Sequence, residues 1–227
     1  MRAREFALDE DISRRGFLGG LAGLGTAALV KKSSETTPTE PEQPQQPQPP
    51  QSKVAPVFQP MGKNPEIEVF LKKAAMSAGI VGEELAQFLA QMKHESWDFT
   101  RLKEIPKNKS YFKRMYDPKY SPRMAKMLGN IKIGDGERFY GRGFVQLTGR
   151  ENYTRAEKAL GIPLLKNPEI AADPEAAAKI AIWFWNTRVR PFVTDFTDTR
   201  AVTKKINPGL KGLDNRHENF IKYQSMF

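Results

Sequence analysis

Glu95 is the first residue whose position suggests chemistry. It lies three residues after Met92 and seven after Phe88, so a helix would place all three on one face. That face is apolar. A carboxyl at the end of an apolar stripe is a misplaced charge, a paired ion or a functional acid. Desolvation disfavours its charged form and raises its pKa. A raised pKa lets a general acid hold its proton near neutral pH. The plainer alternative is a helix-end glutamate that turns to solvent or pairs with an arginine. Cleavage of a glycosidic bond would need a second carboxylate. Asp98, Glu104, Asp117, Asp135 and Glu137 are the candidates downstream. Glu104 follows Glu95 by nine positions, close enough for a loop to fold back and face it across a groove.

The elements that must position these groups read as helices. Asn64-Pro65 is a helix start, an N-cap followed by proline at N1. Ile67, Phe70, Leu71, Ala74 and Ala78 follow with helical period, and Gly79 closes the run. A second helix is predicted from about Glu83 to Ser96, with Leu85, Phe88, Leu89 and Met92 as its stripe. Asp173-Pro174 repeats the cap-and-proline start, and Glu175 adds favourable charge there. That helix ends in Ile182-Trp183-Phe184-Trp185, apolar all round and therefore central to the core. A last helix follows Leu213 and uses Phe220 and Tyr223. Strand signals are weak; Gly141 to Thr148 could hold a short extended segment. The fold class is mainly α.

Composition sets the frame. The chain has 227 residues, a net charge of +10 and no cysteine. A basic surface favours an anionic polymer: nucleic acid, an anionic membrane, or the teichoic acids and lipopolysaccharide of a cell envelope. Without cysteine there is no disulfide, thiolate metal site or thiol nucleophile. His94 and His217 are the only histidines. His94-Glu95-Ser96-Trp97-Asp98 fails the H-E-x-x-H metal pattern because position 98 is Asp. No metal and no cofactor are expected, and no nucleic-acid recognition motif is present.

Three segments divide the chain. Residues 1–32 read as an export or targeting leader, with Arg14-Arg15 ahead of an apolar, Gly-rich run to Val30. The run from Gly16 to Val30 is 15 residues. A membrane span takes about 20, so a signal h-region fits better than an anchor. The arginine pair resembles a twin-arginine signal, although a clear small-x-small cleavage site is missing; a virion-targeting tail is the alternative. Residues 33–60 are a Pro/Gln-rich linker that cannot bury enough apolar surface to offset its chain entropy, so it reads as a disordered spacer. Residues 61–227 form the folded domain.

Three strings in that domain resemble one family. Phe88-Leu89-Ala90-Gln91-Met92-Lys93-His94-Glu95-Ser96 resembles the "FLAQ..HES" segment of glycoside hydrolase family 19 chitinase-like lysozymes, found in phage endolysins. Gly136 to Tyr153 resembles "G..YKGRG.IQLTGR.NY" of the same family, and Val202 to Arg216 resembles "VTKRINGG.NGL.DR". The resemblance implies a lysozyme-like, two-lobed helical domain with a central substrate cleft. It implies Glu95 as the acid, Glu104 as the base and Ser110 as a holder of the attacking water. An inverting reaction follows, with carboxyls roughly 6.5–9.5 Å apart.

Other matched positions carry expectations. Gln146 can donate to and accept from an N-acetyl sugar. Gly141 and Gly143 permit close approach to the backbone, or simply form a tight turn. Tyr140 is a candidate for stacking on a sugar or for core packing. Asn207 matches a cleft asparagine. Arg142 would orient a catalytic carboxylate or pair with a surface acid, and Arg216 matches an arginine that supports the glutamates. His94 reads as a groove-wall or structural residue. Pro208 departs from the family, which usually has glycine there, and removes an N–H.

The substrate expected is the glycan strand of peptidoglycan, with chitin as the alternative. A non-catalytic wall-binding or virion module on the same scaffold is the contrasting class. A monomer that acts in the periplasm, outside the cell or from a virion completes the expectation.

Overall fold

The computed structural model describes residues 58–227. The predicted leader and most of the linker lie outside the described residues. Nine α-helices occur among the described residues: α1 Pro65–Ser77, α2 Gly82–Glu95, α3 Tyr111–Tyr116, α4 Pro122–Leu128, α5 Asp135–Arg138, α6 Arg150–Leu160, α7 Pro174–Arg188, α8 Thr199–Ile206 and α9 Leu213–Gln224. No described helix is long and apolar enough to cross a membrane. The extended segment expected at Gly141–Thr148 is reduced to two antiparallel bridges, Lys103 with Arg142 and Arg142 with Leu147.

Helix α1 begins where Asn64-Pro65 predicts. The Asn64 side chain accepts from the Ile67 amide at 3.3 Å, satisfying one N-terminal donor. Gly79 follows the helix with φ +76°, a left-handed conformation suited to glycine. Helix α7 also starts at its predicted proline, but Asp173 caps it through backbone geometry without a side-chain bond.

Helix α2 differs from an amphipathic stripe. Every residue from Leu85 to Met92 is buried. Its far side is polar yet covered: Gln87 donates to Thr199 at 2.7 Å, and Gln91 donates to Thr203 at 3.1 Å. Both threonines sit on α8. Buried amides of this kind are tolerated because they are hydrogen-bonded. Periodicity locates an apolar face but is blind to a polar face that is buried against polar partners.

The main hydrophobic cluster joins α1, α2, α7, α8 and α9. Trp185 lies at its centre, edge-on to Phe88 with ring centroids 5.3 Å apart, and its indole N–H donates to Glu84 at 2.8 Å. A second cluster gathers Phe139, Leu147, Tyr153, Ala156, Leu164 and Ile180. A third, built on Tyr116, Met124 and Leu128, belongs to α3 and α4.

The start of the domain is latched by a buried carboxylate. Glu68 accepts from the Met61 amide at 2.9 Å, the Gly62 amide at 2.5 Å and the Tyr223 hydroxyl at 2.6 Å. Burial, reinforced by Glu68, pushes the Tyr223 hydroxyl pKa well above its ordinary value, so it remains a donor. Glu68→Ala would leave these donors without their acceptor. Unfolding in urea should show a loss of about 3 kcal/mol or more, with Tyr223→Phe costing less.

Candidate functional site

Glu95 is the last residue of α2 and is only 4% exposed. It does not sit in a purely apolar pocket. The Arg216 guanidinium, fully buried on α9, donates to its carboxylate. The same guanidinium donates to the Gln91 side-chain oxygen at 2.5 Å and to the Lys211 carbonyl at 3.1 Å. Gln91 is one turn before Glu95 on α2, so both face α9. A fully buried arginine is tolerable only because its donors are engaged.

The chain reverses sharply after Glu95. Trp97, Asp98 and Phe99 all adopt positive φ, at 52°, 62° and 61°. Left-handed geometry costs roughly 1–2 kcal/mol for each non-glycine residue, so this turn must be held. Ser96 holds it, donating to the Met92 carbonyl at 2.7 Å and accepting from the Phe99 amide at 3.1 Å. Phe99 is buried and packs edge-on against Phe144.

Glu104 is reached by that reversal. Its amide donates to the Gly141 carbonyl at 2.9 Å, and the Gly141 amide returns a bond to its carboxylate at 3.1 Å. The other carboxylate oxygen accepts from the Tyr116 hydroxyl at 3.0 Å. A Cβ on Gly141 would lie 2.8 Å from the Gln146 Oε1 and 3.1 Å from the Glu104 Oε2. Glycine at 141 therefore lets the Glu104 carboxylate and the Gln146 amide share one patch of backbone.

Gln146 itself has φ +50° in a turn closed by its amide on the Gly143 carbonyl at 3.2 Å. Its side chain donates to the same carbonyl at 3.0 Å. Ser110 precedes α3, and its hydroxyl bonds to Asn108 at 3.2 Å.

Three other expected residues have mainly architectural surroundings. Arg142 is engaged by an acid outside the proposed pair of carboxylates. Its guanidinium bonds Glu169, the Tyr153 hydroxyl at 2.9 Å and the carbonyls of residues 138 and 140. Partial burial would raise the Glu169 pKa, but hydrogen bonds from Lys103 and Arg142 outweigh it and hold it down at about 2. Glu169 thus stays ionised and Arg142 stays committed to it. Tyr140 is stacked on Phe112 at 4.3 Å and capped by the Arg142 guanidinium at 3.6 Å. Two groups that close cannot share one face, so the ring presents an edge, rather than a face, to any sugar. His94 lies over Gly212, where any Cβ would overlap its ring, and contacts Asn215 at 2.8 Å.

Asn207 is buried at the end of α8 and accepts from the Gly209 amide at 3.1 Å. Its extended backbone, φ −135° and ψ 96°, is what a residue before proline prefers. The Leu210 amide closes a turn on the Asn207 carbonyl at 2.9 Å. Pro208 sits second in that turn, a position proline favours, and its missing N–H is not used there.

Residues 73–203, more than half of the chain, match the profile of glycoside hydrolase family 19, described as chitinase class I. The chain belongs to this family. An endochitinase of Arabidopsis thaliana is 35% identical over 137 residues, covering 60% of this chain and 43% of its own length. A glycosyl hydrolase family 19 domain-containing protein of Haemophilus influenzae is 33% identical over 160 residues, covering 61% and 78%. The chain thus spans less than half of the Arabidopsis relative. Among solved structures, chitinase C of Streptomyces griseus superposes with a TM-score of 0.51 at 24% identity, over 71% of this chain and 68% of that one. The class IV chitinase of Zea mays gives 0.51 at 25% identity, over 73% and 82%. The helical fold of family 19 is therefore shared.

The Arg216–Glu95 pair yields a direct test. Arg216→Met should destabilise the domain by about 3–5 kcal/mol, since the guanidinium that donates to the buried Glu95 carboxyl and the Gln91 oxygen is removed. Adding Glu95→Gln should recover part of that loss, a coupling readable in a double-mutant cycle by chemical denaturation.

Proposed function

We propose that this family 19 domain cleaves β-1,4 glycosidic bonds of bacterial peptidoglycan by inverting general acid/base catalysis. The observation that carries the reading is the pair of carboxylates held by independent means. Glu95 is anchored through Arg216 on α9, while Glu104 is anchored through Gly141 and Tyr116. In this reading Glu95 gives its proton to the glycosidic oxygen. Glu104 takes a proton from a water that attacks the anomeric carbon from the opposite face. Arg216 then stabilises the carboxylate that Glu95 becomes. Ser110 helps to hold the water, and Gln146 and Asn207 contact the sugar.

Peptidoglycan is favoured over chitin by two features. The Phe88–Ser96 and Gly136–Tyr153 strings resemble endolysin segments, and the +10 charge suits an anionic envelope. The twin-arginine-like pair at Arg14-Arg15 is consistent with delivery to the periplasm or beyond. Chitin is the second reading, because the Arabidopsis relatives are named endochitinases. A wall-binding module without activity is a third, and one Arabidopsis relative, 31% identical over 142 residues, is named an inactive endochitinase.

The full chain should clear suspensions of outer-membrane-permeabilised bacteria and act more slowly on chitin oligomers. Glu95→Gln and Glu104→Gln should each lower the clearing rate by about 10²–10⁴-fold while still binding the wall. Faster turnover of chitin oligomers would move the substrate to chitin. Wall binding without clearing by the wild type would favour the inactive module.

A further inference from the structure

The segment from 105 to 133 holds eight lysines and arginines and a single acid, Asp117. That is a net +7, most of the chain's +10. Asp117 is buried and turned inward, accepting from the Gly134 amide at 2.5 Å and the Lys119 amide at 3.2 Å. The basic side chains are mostly exposed, among them Lys107, Lys109, Lys119, Arg123, Lys126 and Lys132.

Large apolar residues are exposed among these charges. Ile131 and Ile133 are each 72% exposed and flank Lys132. Ile105, Tyr120 and Met127 are exposed within the same segment. The ammonium groups of Lys113 and Lys119 lie 5.4 and 5.6 Å from the Tyr120 ring centre.

The turn that shows Ile131 and Ile133 to water is not slack. The Ile131 and Lys132 amides donate to the buried Asp135 carboxylate at 2.9 and 3.0 Å. Arg150 locks Asp135 with an Nε bond of 2.7 Å. Asn130, the first residue of the turn, donates to the Tyr116 carbonyl at 2.9 Å. Buried carboxylates thus pin the backbone while two isoleucines point outward. Exposed aliphatic groups set among lysines suit an interface whose surface is anionic and whose interior is apolar.

We infer that the 105–133 segment, which carries α3 and α4, is a docking surface for an anionic lipid bilayer. Ile131 and Ile133 enter the acyl boundary, Tyr120 lies at the headgroup level, and the lysines and arginines meet lipid phosphates. The observation that selects lipid over glycan is the pairing of charge with exposed aliphatic side chains; a glycan polyanion would engage the charge alone. The inference uses no catalytic role of Glu95 or Glu104, but it assigns to lipid most of the charge that suits an anionic envelope, on a segment that also carries Ser110 and Tyr116.

The test is co-sedimentation of the full chain with vesicles of phosphatidylcholine mixed with phosphatidylglycerol, beside vesicles of phosphatidylcholine alone. The wild type should prefer the anionic vesicles and lose that preference as salt rises. Ile131→Ser with Ile133→Ser should weaken anionic-vesicle binding by about tenfold, with thermal unfolding and retention on purified peptidoglycan unchanged. Lys119→Glu with Lys132→Glu, which attacks the charge instead, should weaken it as well. Equal vesicle binding by the wild type and both variants would overturn the inference. So would loss of peptidoglycan retention without loss of vesicle binding, which would assign the segment to the glycan. A wild-type dimer that the isoleucine variant abolishes would assign it to a second copy of the chain.

Discussion

The contact between Arg216 and Glu95 is the constraint on which the polar seam between three helices depends. Moving two charges out of water is costly, and their attraction compensates only when the remaining donors and acceptors are met. Here they are met by the Gln91 side chain and the Lys211 carbonyl. Gln91 in turn needs Thr203 on α8, and neighbouring Gln87 needs Thr199. One ion pair thereby dictates a polar seam between α2, α8 and α9 within an otherwise apolar core. The His94 ring lies so close to Gly212, at the entry to α9, that no other residue fits there without displacement.

A second constraint follows from where Glu95 sits. As the final residue of α2 it leaves the chain only a few residues to turn back. Three successive left-handed residues accomplish the turn, with Ser96 and Phe99 holding the strain. Backbone strain of this kind persists where the surroundings over-determine it, commonly near working sites. The reversal then delivers Glu104 to Gly141. Within the Gly141–Leu147 turn, the Arg142 side chain is held by Glu169. Arg142 thus serves the proposed base indirectly, by supporting the backbone that Glu104 grips.

Much of the helical framework was legible in the sequence. Asn64-Pro65, Asp173-Pro174 and the Phe220–Tyr223 spacing mark helices because capping and burial are local effects, and the structure places helices at each. The apolar stripe of α2 was equally readable, but the burial of Gln87 and Gln91 was not, since their partners lie more than a hundred positions away. The same distance separates Arg216 from Glu95, a pairing that only the family resemblance suggests. Tyr116 leaves no sequence signal as a partner of Glu104, for nothing in a lone tyrosine twelve positions on points to a carboxylate. Tyr140 was ambiguous between sugar and core: the guanidinium on it is that of Arg142, two positions on, but the phenyl ring stacked on it is that of Phe112, 28 positions earlier, which no local signal indicates.

The most direct test of the proposed acid and base is stereochemical. An acid and a water-activating base on opposite faces of a β-1,4 linkage must release the new reducing end as the α-anomer. Proton NMR of a soluble N-acetylglucosamine oligomer, recorded as the full chain cleaves it and before mutarotation, reads that anomer. Initial accumulation of the α-anomer is the predicted result. Initial accumulation of the β-anomer would mean retention, and it would contradict the roles given to Glu95 and Glu104.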